Sequence, residues 1–309
     1  FFFFKQKTAY EIRNCDWSSD VCSSDLPLSA SSRYRERFNR EARAVGRLAH
    51  QNIVSILDYS GQNADDCYIV TELVDGLTLQ TLLTERGRLP SEIVALLGAE
   101  LAAALAFAHA AGIIHRDIKP ENVMIRRDGR VKLMDFGVAR VLDESSITLD
   151  GSLLGSPAYM SPQQALDEAL DGRSDLFSLG SMLFHAVTGH VPFSGTNASV
   201  ILRNIIEGNR PEILELAPGA SPALAAVIDR LLQPKPDGRY NSAEDAQAAL
   251  VACFHDVQLS LEHPTINLRA YVVDPEACEQ ALDTHLRTTL LAIGKDRLAA
   301  KDKIGRAHV

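Results

Sequence analysis

The chain has 309 residues, 46% of them apolar and 23% charged, which is enough for one large or two ordinary globular domains and excludes disorder, collagen and a coiled coil. Its 31 Lys and Arg against 40 Asp and Glu give a net charge of −9, so there is no global basic field to hold a nucleic acid or an anionic membrane, and neither partner is expected. Five scattered cysteines with no CxxC pair argue against a zinc or redox site and for a reduced, cytoplasmic setting.

The two ends read differently from the rest. Asp20 to Leu26 (DVCSSDL) and Lys303 to Val309 (KIGRAHV) can be encoded by strands that are reverse complements, and FFFFKQKTAYEI with DWSSDVCSSDL reads as translated sequencing-library adapter. Residues 1–26 and 303–309 are therefore expected to be adapter-derived and to stand outside the fold, leaving Pro27 to Asp302 as the natural segment.

In chain order, Arg33 to Leu48 places Phe38, Ala42, Val45 and Leu48 on one helical stripe. Ile53 to Tyr59 and Cys67 to Leu73 read as an antiparallel strand pair around the turn-rich SGQNADD. Helical patterns follow at Leu77 to Thr84 and Ser91 to Ala111, with Ser91 as the expected N-cap. The apolar stretch Ile93 to Ile114 meets the length of a membrane span, but Glu100 near its centre favours a buried core helix, so no membrane contact is expected of the natural segment. Two short strands, Val123 to Ile125 and Val131 to Met134, flank the RRDG turn, and a polar loop runs from Leu142 to Ser161. Asp175 to Val187, Ala198 to Ile206, Pro222 to Leu232 and Ala243 to Phe254 read as helices. His263 to Val273 reads as a linker before a last helix, Glu276 to Ala300.

The densest chemical signal is His115-Arg116-Asp117-Ile118-Lys119-Pro120-Glu121-Asn122, followed thirteen residues after Asn122 by Asp135-Phe136-Gly137. Phosphoryl transfer needs a carboxylate to orient the acceptor hydroxyl, a cation on the migrating phosphate and oxygen ligands for magnesium, and this segment supplies each. The motifs resemble the eukaryotic-like Ser/Thr protein kinases, including those of bacteria, from Arg33 to Phe254.

That resemblance implies an α+β, two-lobed protein-kinase-like fold with an incomplete small β-lobe and a mainly helical C-lobe. The expected divisions are a partial N-lobe at 27–74, a C-lobe at 75–255, and a linker with the start of a helical, partner-binding extension at 256–302. The resemblance implies Asp117 as catalytic base and Lys119 as the phosphate-neutralising cation. It makes Asn122 and Asp135 ligands for Mg2+ (or Mn2+) carried with ATP. Thr71 becomes the gatekeeper; the backbone of Glu72 and Val74 would meet the adenine edge, Asp75 the ribose, and Met124 the floor under the base. His115 and Phe136 resemble the family's spine pair, and Asp175 the residue that braces the catalytic loop. Arg116 implies a cation awaiting an activation-loop phosphate, with Ser145, Ser146, Thr148 and Ser152 as acceptors.

Ser156 lies in GSPAYMSPQ, which resembles the end of the family's activation segment, with Gln163 where that pattern has glutamate. A neutral Gln163 should bond Arg239 more weakly and lower local stability.

No glycine-rich GxGxxG or VAIK-type lysine precedes the first helix, although Glu41 matches the glutamate that pairs with that lysine. The expected reading is a truncation that leaves an unpaired sheet edge at Cys67 and a fragment itself inactive. The function implied for the parent protein is transfer of the ATP γ-phosphate to Ser or Thr hydroxyls of protein substrates. The alternatives are a pseudokinase scaffold and a small-molecule phosphotransferase.

Overall fold

The computed structural model describes residues 21–26, 32–60, 67–136, 157–255, 257–260 and 263–307. Gly137, Ser156 and the hydroxyls of Ser145, Ser146, Thr148 and Ser152 lie outside these residues.

Among the described residues the small lobe is one three-stranded sheet with a helix. Strand β1 (Val21–Leu26), helix α1 (Ser32–Val45), β2 (Ile56–Tyr59) and β3 (Cys67–Glu72) give the order β1-β3-β2, all antiparallel. The unpaired edge expected at β3 is therefore covered: Val21 to Leu26 pair residue for residue with Glu72 back to Cys67. Backbone hydrogen bonding explains this, because an open strand edge accepts any extended segment that reaches it. Ala42, Val45 and Leu48 of the predicted apolar stripe are buried.

A second sheet, β4-β5-β6, sits at the junction with the helices: β4 (Gly76–Thr78), β5 (Val123–Arg126) and β6 (Val131–Leu133). The helical reading of Leu77 to Thr84 is thus corrected, since Gly76 to Thr78 pair with Arg126, Ile125 and Met124, and α2 (Leu79–Arg86) begins only afterwards, capped by the Thr78 hydroxyl. A Cβ on Gly76 would fall 2.2 Å from the carbonyl oxygen of Ile125, so only glycine permits β4 to approach β5 this closely. The chain before β2 runs beside β6: the Leu133 N–H donates to the Asn52 carbonyl (2.8 Å) and the Val54 N–H to the Leu133 carbonyl (3.0 Å). These bonds join the two sheets.

The helical lobe is built on α3 (Ser91–Ala110), which packs against α5 (Gly172–Thr188) and α9 (Ala243–His255). Pro90, not Ser91, occupies the N-cap, and the Ser91 hydroxyl instead accepts from the Ser221 N–H (2.9 Å). Glu100, the carboxylate inside this apolar helix, is accounted for by two donors on Oε2, the Asn52 side-chain amide at 2.7 Å and the Val131 N–H at 3.1 Å. Burial raises its pKa against the pull of those bonds. Helices α4 (Pro162–Ala165), α6 (Ala198–Glu207), α7 (Ile213–Leu216) and α8 (Pro222–Leu231) complete the lobe.

The stretch expected to be a linker contains a helix, α10 (Leu268–Val273), whose N-cap Asn267 accepts from the Ala270 N–H. Pro264 lies before that cap, where it breaks no helical hydrogen bond. Helix α11 (Pro275–Ala307) follows, with Cys278 and Leu282 buried and Leu290 and Leu291 exposed. Both the α+β class and the predominance of helix in the larger lobe are borne out.

Candidate phosphotransfer site

The catalytic loop is fixed from beneath by Asp175, in the first turn of α5. Its Oδ2 accepts from the His115 N–H and the His109 ring Nε2, and its Oδ1 from the Arg116 N–H, each at 2.8 Å. Arg116 has φ +69°, a left-handed conformation that a side chain rarely adopts, and these bonds hold it there. The Arg116 carbonyl accepts from the Gln164 amide at 2.7 Å, which ties the loop to α4 as well.

His115 is completely buried. The Asp117 N–H donates to its Nδ1 (3.2 Å), so the ring proton is on Nε2 and donates to the Met134 carbonyl (2.8 Å). Burial lowers its pKa and keeps the ring neutral, which suits the spine role rather than proton transfer. Its ring meets Phe136 at 4.6 Å between centroids.

This scaffold presents the reactive groups. Lys119 Nζ lies 2.6 Å from Asp117 Oδ2, and the Asn122 amide donates both to Asp117 Oδ2 (3.0 Å) and to the Asp117 carbonyl (2.8 Å). With its NH2 group so engaged, Asn122 has its side-chain Oδ1 left over, a hard oxygen donor. The Met134 N–H donates to the Asn122 backbone carbonyl (2.9 Å), extending the β5–β6 pairing so that Asp135 follows directly on the residue opposite Asn122. Asp135 is itself exposed and has φ +52°. Among the described residues no three His, Cys, Asp or Glu converge.

Beside these groups Val54, Val74, Met124 and Met134 form a small apolar cluster separate from the main core. Met124 of β5 lies in it together with Val74, in the segment joining β3 to β4. The Asp75 carboxylate pairs with Arg127 at 3.2 Å on the surface. Thr71 lies in β3 opposite Cys22 and Ile56.

The strand neighbouring β3 reads VCSSDL and contains no lysine. Glu41 Oε1 lies 3.9 Å from NH1 of Arg116 in the catalytic loop.

Comparison with known proteins decides the family. Residues 11–251 match the protein kinase domain. The chain belongs to this family. It is 37% identical over 235 residues to the serine/threonine-protein kinase PknL of Mycobacterium tuberculosis and of Mycobacterium bovis, covering 76% of this chain and 59% of each relative. It is also 37% identical over 231 residues to PrkC of Bacillus subtilis, covering 74% of this chain and 35% of that protein. The chain therefore spans about three fifths of the mycobacterial relatives and about a third of the Bacillus one.

One member of this kinase site escapes motif reading. Lys132, buried in β6, donates from Nζ to Glu72 Oε1 (2.6 Å) and to the Ile53 carbonyl (3.2 Å). Glu72, at the end of β3, also accepts from the Ser55 N–H (2.9 Å). Burial works to raise the Glu72 pKa, but the bonds from Lys132 and Ser55 outweigh it and hold the carboxylate below its ordinary 4.5. The lysine thus pins the end of β3 to the β5–β6 hairpin. Lys132→Met should lower stability by about 2–3 kcal/mol by leaving Glu72 without its cation. Because the folded pKa of Glu72 is depressed, the contribution is present above about pH 4.5 and fades as acid protonates the group. Urea titrations at pH 7 and pH 3.5 check this; a loss equal at both values would contradict it.

Gln163 and Arg239 do meet. Arg239, 1% exposed, donates to Gln163 Oε1 (2.9 Å) and to the carbonyls of Pro234 (2.8 Å), Gln233 and Arg173 (both 2.7 Å), over the ring of Phe177. Its charge is solvated by neutral oxygens alone, and burial lowers its pKa to about 10. Gln163→Glu should raise stability by about 1 kcal/mol, or a few degrees in Tm, by supplying a charge-assisted bond. An unchanged or lower Tm would show that the four oxygens already compensate the cation.

Proposed function

We propose that the parent protein transfers the γ-phosphate of Mg·ATP to Ser or Thr hydroxyls of protein substrates. The observation that carries the reading is the Asp117–Lys119–Asn122 cluster, whose carboxylate is held at 2.6 and 3.0 Å by a cation and an amide beside Asp135. The relatives' names support the Ser/Thr class.

Magnesium bound with the nucleotide would neutralise phosphate charge. Asn122 through its carbonyl oxygen and Asp135 through its carboxylate would hold it, and the Val54, Val74, Met124 and Met134 cluster would take the base. Asp117 orients the acceptor hydroxyl and takes its proton, while Lys119 turns from Asp117 to the migrating phosphoryl group. Buried and neutral, His115 takes no part in proton transfer and keeps Phe136 and Met134 in place.

This chain is expected to perform the reaction poorly, because strand β1 beside β3 carries no lysine. That observation also favours a second reading, a non-catalytic scaffold. Transfer of labelled phosphate to an unstructured protein substrate is the test, run on this chain and on a version in which a lysine-bearing strand with its glycine-rich loop replaces residues 1–26. Transfer by the completed version alone is the expected result. Transfer by neither favours the scaffold, and transfer to an aminoglycoside but not to protein would assign a small-molecule phosphotransferase.

A further inference from the structure

The match to the protein kinase domain ends at residue 251, yet the chain beyond it is built into the lobe. Ile266, Leu268, Tyr271, Cys278 and Leu282 are buried in the same apolar core as α3 and β5. Helix α10 packs on α3 and on β5.

Two grips connect this extension to the site. At the β5–β6 turn, Gly129 has φ +86°, and a Cβ there would lie 2.3 Å from the Arg269 nitrogen and 2.7 Å from its Cα. The turn and the start of α10 thus touch backbone to backbone, at a spacing that only glycine allows. At α2, Arg86 meets Glu279 Oε1 at 3.1 Å and Glu276 Oε1 at 3.7 Å. The completely buried Tyr271 donates its hydroxyl to the same Glu279 oxygen at 3.0 Å. Arg86 closes the helix that follows β4, and β4 is the strand paired with β5. Both grips therefore act on one hairpin, which carries Met124 and is flanked by Asn122 and Asp135.

We propose that α10 and the first turns of α11 are a positioning element for the metal-ligating hairpin, with Tyr271 as the positioning residue that acts through Gly129–Arg269 and Glu279–Arg86. The structural half of this stands on the packing; the functional half rests on the phosphotransfer reading above.

Amide hydrogen exchange on the full chain tests it. In Tyr271→Ala, amides of residues 123–133 should exchange about tenfold faster while those in the centre of α5 are unchanged, because the opening is local. Mg·ADP affinity should fall about fivefold at a temperature where all molecules are still folded, since a loss of global stability alone leaves that affinity unmoved. Acceleration confined to residues 263–307, with the hairpin protected as before, overturns the proposal. If Tyr271→Ala does not fold, Gly129→Ala and Glu279→Gln each remove one grip, and the hairpin amides are read in the same way. Where the wild-type chain binds no Mg·ADP, exchange alone decides: faster hairpin amides in Tyr271→Ala support the proposal and unchanged ones overturn it.

Discussion

Replacing Asp175 by Ala should destabilise the protein by about 3–5 kcal/mol, the range for removing one partner from a buried, hydrogen-bonded charge. For a domain of this size that is a fall in Tm of about 10 °C or more. Asp175 is 1% exposed and accepts three hydrogen bonds, two of them from consecutive backbone N–H groups of the catalytic loop. Without it, the His115 and Arg116 amides are buried with no acceptor, and nothing offsets the left-handed backbone at Arg116. Asp175→Asn should lose less, since one carbonyl oxygen remains, but its amide would then face an N–H donor. His109→Ala removes only the partly buried side-chain donor and should change stability by about 1 kcal/mol. Denaturant titrations of the three variants give the ranking, and a loss below about 1 kcal/mol for Asp175→Ala would show that the loop holds its shape without this carboxylate.

That arrangement was legible in the sequence to an unusual degree, and the reason is chemical. His115 to Asn122 and Asp135 to Phe136 are residues whose types are dictated by what they do, so order and spacing identify them, and Asp175 follows from RSDLFSLG by position. Gln163 and Arg239 were likewise paired in advance, although the three carbonyls that share the guanidinium were not foreseeable, since backbone acceptors leave no mark on residue type. Lys132 was missed for a related reason. Between Val131 and Leu133, strand alternation turns it away from its neighbours' face, where a lysine normally reaches solvent, and only the approach of Glu72 sixty residues earlier makes that face an interior. Strand β1 was excluded because DVCSSDL reads as translated adapter, yet its pairing with β3 needs only backbone groups. Helix α10 spans six residues, too few for a helical period to declare itself, and its burial depends on the β5–β6 turn lying against Arg269.

The largest functional effect should come from Asp117→Asn in a completed version of the chain that transfers phosphate: a fall in kcat of about 10²–10⁴, with nucleotide affinity within about twofold of the parent. The asymmetry follows from what the carboxylate touches. Asp117 is bonded to Lys119 Nζ and to the Asn122 amide, both through Oδ2, and the Val54, Val74, Met124 and Met134 floor lies outside that set. An amide keeps the shape, and its carbonyl oxygen still accepts from Lys119, so folding and the Asn122 geometry persist. What is lost is the capacity to take a proton from the acceptor hydroxyl and the negative charge that opposes Lys119. Lys119 would then approach the phosphates without a competing anion, so affinity should hold or rise slightly while turnover collapses. Single-turnover rates with Mg·ATP, set beside equilibrium titration of Mg·ADP, separate the two quantities. Equal losses in rate and affinity would mean that Asp117 serves to build the nucleotide site, and an unchanged rate would remove it from the chemistry altogether.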